Sequence, residues 1–264
     1  DTTISGGSTV SGTGAVGARI MTDGGTTTIQ DAHFDNVWYT EAPSAGNSLD
    51  VFGGIEAYGD ATIDHVSFSN CLGPGLALFD GTWTLGKSTI DLSGTALKVK
   101  TSPRIIMGVT DRSTGVVNFD ITGWTLEDSP TGTGILFMTT DTAATVTVDI
   151  YGNDVDNNGF AGIVISNYGG LNPSPFMAGG TANLDVTIRD QVIEDSGSYG
   201  IVYYAGGGDW APNARGSLTL DNVTVRSSGE SGVLVWLDMG CTNFDGMYIN
   251  STFEMNSGDG IEHL

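Results

Sequence analysis

Residues 144 to 166, "ATVTVDIYGNDVDNNGFAGIVIS", alternate apolar and polar positions, break at a polar turn, and close on a glycine followed by a second apolar run. Alternation with a period of two predicts a β-strand with one buried face. Val146, Val148, Ile150, Ile163 and Ile165 are the expected inward positions, with Thr145, Thr147 and Asp149 outward. The turn is rich in Asn, Asp and Gly, which favour tight reversals.

The pattern recurs as "ATIDHVSFSNCLGPGLALF" from 61, "GVVNFDITGWTLEDSPTGTGILFM" from 115 and "ANLDVTIRDQVIEDSGSYGIVYY" from 182. It returns again as "GSLTLDNVTVRSSGESGVLVW" from 216 and "CTNFDGMYINSTFEMNSGDGIEHL" from 241. Each copy predicts about three short strands and ends on a glycine: Gly54, Gly75, Gly134, Gly162, Gly200, Gly232 and Gly260. Leu218, Leu220, Val223, Val225, Val233 and Val235 repeat the inward pattern. No segment has a sustained helical period, and leucine-rich and propeller signatures are absent. Such a repeat cannot bury its apolar face alone and must stack on its neighbours.

In this grammar, over roughly residues 15 to 264, the chain resembles the right-handed parallel β-helix repeat superfamily of pectate lyases, polygalacturonases, phage tailspikes and many surface proteins. The resemblance implies an all-β, single-stranded solenoid of about 8 to 9 rungs, forming one domain over residues 1–264. Polygalacturonase-type enzymes of this superfamily carry Asn-Thr-Asp, Asp-Asp, Gly-His-Gly and Arg-Ile-Lys motifs, and none of these occurs here. The resemblance therefore fixes fold far better than activity.

Forty glycines and seven prolines agree with many turns. A net charge of −22 makes nucleic acid and anionic membranes poor partners, and no long apolar span predicts a transmembrane segment. Cys71 and Cys241 form no disulfide framework and suit buried thiols. Asn222-Val-Thr224 and Asn250-Ser-Thr252 are glycosylation sequons, and the chain starts at Asp1. These features together suggest an extracellular or cell-surface setting.

Aligning the copies puts Asp64, Asp91, Asp120, Asp149, Asp185, Asp221 and Asp245 at one outward position. With coils about 4.8 Å apart, such a column would repel itself. Hydrogen bonds within the turns, raised pKa values or intervening calcium would each relieve it. Asp154, Asp156 and Asn158 match the first half of a calcium loop, but Ile165 occupies the position where such a loop needs its last carboxylate, so an EF-hand is excluded. A weaker cation site and a plain turn both remain open readings of these three residues.

No catalytic residue is assigned. His33, His65 and His263 lack a neighbouring nucleophile, and Arg189 lies among Asp185, Asp190, Glu194 and Asp195, where ion pairing is expected. Trp38, Trp83, Trp124, Trp210 and Trp236 occupy different repeat positions, which favours packing over a sugar-binding row, while "YYAGGGDWAPNARG" around Trp210 reads as an inserted loop suited to binding. Neither end shows a capping helix. The resulting expectation is a structural protein that stacks end to end on copies of itself, with a glycan-binding or carbohydrate-active protein as the alternative.

Overall fold

A computed structural model describes residues 2–4, 8–11, 20–35, 55–69, 76–79, 83–85, 88–90, 105–109, 116–129, 133–139, 144–167, 183–205, 214–237 and 241–264. Every strand pairing among them is parallel, and each strand pairs with strands one coil earlier or later in the chain. The chain winds as a solenoid with three strand faces. The first face comprises Val116–Thr122, Thr145–Tyr151, the start of Asn183–Glu194, the start of Ala214–Arg226, and Cys241–Ile249. The second carries Trp124–Ser129, Asp154–Asn158, the ends of Asn183–Glu194 and Ala214–Arg226, and Thr252–Glu254. The third comprises Thr133–Thr139, Ala161–Asn167, Tyr199–Ala205, Val233–Leu237 and Ile261–His263.

The predicted alternation decides which side chains fill the interior. Ile121, Ile150, Ile188 and Leu220 stack in register and are fully buried, as are Ile135, Ile163, Ile201 and Val233 on the third face. Every inward residue expected in the 144–166 and 216–235 copies is buried to 0% exposure, while Thr145 and Thr147 face solvent. Burying each aliphatic side chain contributes about 1.5 to 3 kcal/mol, so the column of coils supplies the stability a single coil lacks. Trp124 is a core residue and Trp236 is 47% exposed; Trp38 and Trp210 lie outside the described residues.

Two sharp corners close each coil. At the first, Gly123, Gly152, Asp190, Asn222 and Asn250 adopt positive φ, and at the second Asn157, Asp195, Ser227 and Met255 do. Glycine, Asn and Asp tolerate this left-handed conformation best, which explains the turn composition. Just inside the first corner a buried amide pair satisfies backbone groups: Asn153 Oδ1 accepts from Trp124 N at 3.0 Å, and Gln191 Oε1 accepts from Asn153 N at 3.1 Å.

The glycines that close each copy have a packing cause. A Cβ at Gly134 would lie 2.7 Å from the Gly162 carbonyl oxygen, one at Gly200 2.8 Å from that of Gly232, and one at Gly232 2.8 Å from that of Gly260. Only a residue without a side chain lets successive coils approach there. Gly54 and Gly75 fall outside the described residues.

Between Val116 and Cys241 the first face advances by four coil-to-coil steps, about four turns, and Thr2–Ile4, Ile20–Asp35, Ile55–Ser69 and Trp83–Leu85 extend the same parallel row on its earlier side. Earlier strands such as Ile20–Asp35 and Ile55–Ser69 pair in parallel as well, but the residues between them are not described.

Candidate functional site

The aspartate column does not survive the strand register. Asp120 and Asp149 are neighbours on adjacent coils, but Thr187, Thr219 and Met247 continue their row. Asp185 sits two residues earlier along the strand, between Thr147 and Ser217, with Asp245 beyond Ser217. Asp221 sits two residues later, beside Arg189, and Asp64 lies beside Gln30; Asp91 is outside the described residues. A shift of two residues keeps a side chain outward, so alternation alone cannot detect it.

Register also separates the charges. Arg189 donates to both carboxylate oxygens of Asp149, at 2.8 to 3.1 Å, from the next coil, lies 3.9 Å over the Tyr151 ring and approaches Asp190. Its guanidinium is held above its ordinary pKa mainly by the Asp149 hydrogen bonds. Glu194 pairs instead with Arg226, one coil further on. Asp185, expected near Arg189, accepts from Ser217 Oγ at 2.8 Å and from Asn183 Nδ2 at 3.3 Å.

Carboxylates do converge at the second corner. Asp156 lies beside Glu194 in the sheet, and Asp156, Glu194 and Asp195 bring one oxygen each within 4.8 Å of one another. Asp154 is exposed two residues before Asp156 and faces Val192, so it stands at the rim rather than inside the trio. Asn158 is fully buried, and its amide donates to the carbonyls of Leu126 and Asp156 at 3.1 and 3.0 Å, which makes it a corner brace. Asp156 Oδ1 and Asn158 Oδ1 are buried and accept no hydrogen bond among the described residues.

Burial, reinforced by the charges of Asp195, Glu194 and Asp154, raises Asp156 above the ordinary carboxylate range. The trio offers a hard divalent cation three oxygens, and water would complete the six to eight ligands calcium takes. Glu194 and Asp195 escaped the sequence reading of this site because their proximity to Asp156 depends on a register between coils; an acidic residue one repeat later, at the same corner, was the available signal.

A raised folded-state pKa means that the ionised Asp156 opposes folding above that pKa, and that the penalty fades as pH falls toward the unfolded value of 3.8. Asp156→Asn should therefore raise Tm by about 1 to 3 °C at pH 7 without divalent cations, and by nothing below about pH 4. Thermal scans across that range check this; an unchanged difference at low pH contradicts it.

Elsewhere, Tyr199 on the third face is pushed up to about 12, chiefly by donating its hydroxyl hydrogen to Glu230. Both sequon residues, Asn222 and Asn250, are exposed first-corner residues whose amides donate to Asp190 and Asp221. His263 meets the Tyr248 hydroxyl at 3.2 Å, and His65 meets Asp64 at 2.9 Å. No helix among the described residues is long and apolar enough to cross a membrane.

A family model described as a right handed beta helix region matches residues 54–247. No curated protein matches the chain, and no solved structure does.

Proposed function

The chain belongs to the right-handed β-helix family, and from that premise we propose that it is a structural component of an extracellular or cell-surface layer that stacks end to end on copies of itself. The observation that supports this reading is the coil over residues 241–264. Leu220 and Val225 are fully buried one coil earlier, but their register partners Tyr248 and Phe253 are only partly covered, and Ile261 is likewise half-buried beside the buried Val233. Met247 is 55% exposed and Leu264 61%.

Among the described pairings, Cys241–Ile249, Thr252–Glu254 and Ile261–His263 pair only with strands of the preceding coil. At the other end, Thr2–Ile4 and Ser8–Ser11 pair only with Ile20–Asp35 among the described pairings. Both edges run in the same parallel sense, so a second copy placed head to tail continues the ladder, and such a contact propagates without closing. The net charge of −22 meanwhile opposes side-by-side association, and calcium on the acidic corners would moderate that repulsion.

Sedimentation velocity and electron microscopy of the 264-residue chain at rising micromolar concentration, with calcium and with a chelator, test this. Rods whose length grows with concentration, and which shorten in a Tyr248→Glu/Phe253→Glu variant, are expected. A single monomeric species at all concentrations overturns the proposal.

A further inference from the structure

Two inward rows of the solenoid change character on the coil over residues 241–264. On the third face Phe137, Ile165, Tyr203 and Val235 are fully buried in register, and the next position is His263. On the first face Ile121, Ile150, Ile188 and Leu220 are fully buried, and the next is Tyr248. The two newcomers meet across the interior, Tyr248 Oη lying 3.2 Å from His263 Nε2 with the rings edge to face and their centres 6.3 Å apart. Burial holds the Tyr248 phenol above its ordinary pKa, so it keeps its proton and donates to a neutral imidazole.

No acid among the described residues faces His263. Glu262 beside it accepts from Ser231 Oγ at 2.8 Å, and Leu264 O accepts from Leu237 N at 2.9 Å. Asp245 and Glu254 stand on the outward rows of Ser217 and Arg226, and the strand Val233–Leu237 presents Val235. At the other end of the molecule the row that reaches His263 begins at the positions of Thr22, Ala57 and Leu78. A second copy continuing the ladder head to tail therefore brings the position of Thr22 beside His263, and the imidazole passes from the end of its row to the interior.

Resting on the stacking reading above, we infer that His263 makes end-to-end association pH-dependent: the neutral imidazole enters the stack, and the protonated one keeps the end free. An imidazolium enclosed between Val235 and the next copy would lose its hydration without gaining a facing carboxylate, so stacking lowers the proton affinity of the ring. A group whose pKa falls on association favours the stack at high pH, and the stack is lost as pH drops through the range in which histidine gains charge, about pH 8 to 5. With one proton released per contact, the association constant falls about tenfold for each pH unit within the acid part of that range. Protonation of carboxylates acts in the opposite sense, because it reduces the net charge of −22 that opposes contact. Release on acidification therefore distinguishes the imidazole from the acidic surface.

Sedimentation velocity of the 264-residue chain from about pH 8 to pH 5.5 tests this. It compares the native protein with two replacements that are neutral at every pH, His263→Gln and His263→Phe, and with a His65→Gln control on a distant coil, circular dichroism confirming the fold throughout. Rods at high pH that dissociate on acidification in the native chain and the control, but persist in at least one His263 variant, are the expected result. Equal stacking of the native chain across the range, the same acid release in both His263 variants, or loss of stacking by both at pH 8 overturns the gate and leaves end-to-end association standing. A native chain that stays monomeric at every pH overturns the stacking reading and the gate with it.

Discussion

Gly200→Ala should lower stability by about 3 kcal/mol, a fall in Tm of about 6 to 12 °C. The added Cβ would lie 2.1 Å from Val225 Cγ1 and 2.8 Å from the Gly232 carbonyl oxygen, so it meets a core side chain and a neighbouring backbone at once. Val225 is fully buried and cannot retreat without disturbing its stack, and moving the Gly232 carbonyl would stretch the bond that Ile201 N donates to it at 3.0 Å. Calorimetry of the purified variant checks this. Gly152→Ala is the informative comparison, because there a Cβ meets nothing closer than Thr122 Oγ1 at 3.6 Å and the cost comes from φ alone. A loss at Gly200 no larger than that at Gly152 would show that coil spacing is not limited by this column.

Phe137→Ala should cost about 3 to 5 kcal/mol. Phe137 is fully buried on the third face, its ring centre 5.0 Å from that of Phe119 across the interior, and its register partners on the adjacent coils are Met107 and Ile165. Removing it leaves a void that paired backbones above and below hold open. Because a solenoid is stabilised largely by nearest-neighbour contacts, the damage should concentrate in the coils around residues 105 to 165. Hydrogen exchange should rise there and stay near native in residues 214 to 237; a uniform rise along the chain would mean the solenoid unfolds as one unit.

How far the sequence could be read follows from what it encodes locally. The inward stacks around Val148 and Leu220 were legible because alternation marks them residue by residue. The closing glycines were legible as a repeat mark, but their cause, a carbonyl of the next coil, was not. The acidic column failed for a related reason. Copies differ in length, so aligning Asp149 with Asp185 and Asp221 chose a similar letter over the true neighbours Thr187 and Thr219. The same blindness hid the pairing of Arg189 with Asp149, since it depends on which coil lies next to which.

The two corner columns have a further consequence. Each coil turns at residues held in a left-handed conformation and hands its neighbour a complete parallel ladder, so coil number is uncoupled from cross-section. Duplicating one whole coil would lengthen the molecule by about 4.8 Å and leave every existing side chain against a neighbour of the same kind. Deleting part of a coil would instead throw all later rows out of step. Selection acting on this chain can therefore adjust its reach in whole increments, as one adjusts a chain by links.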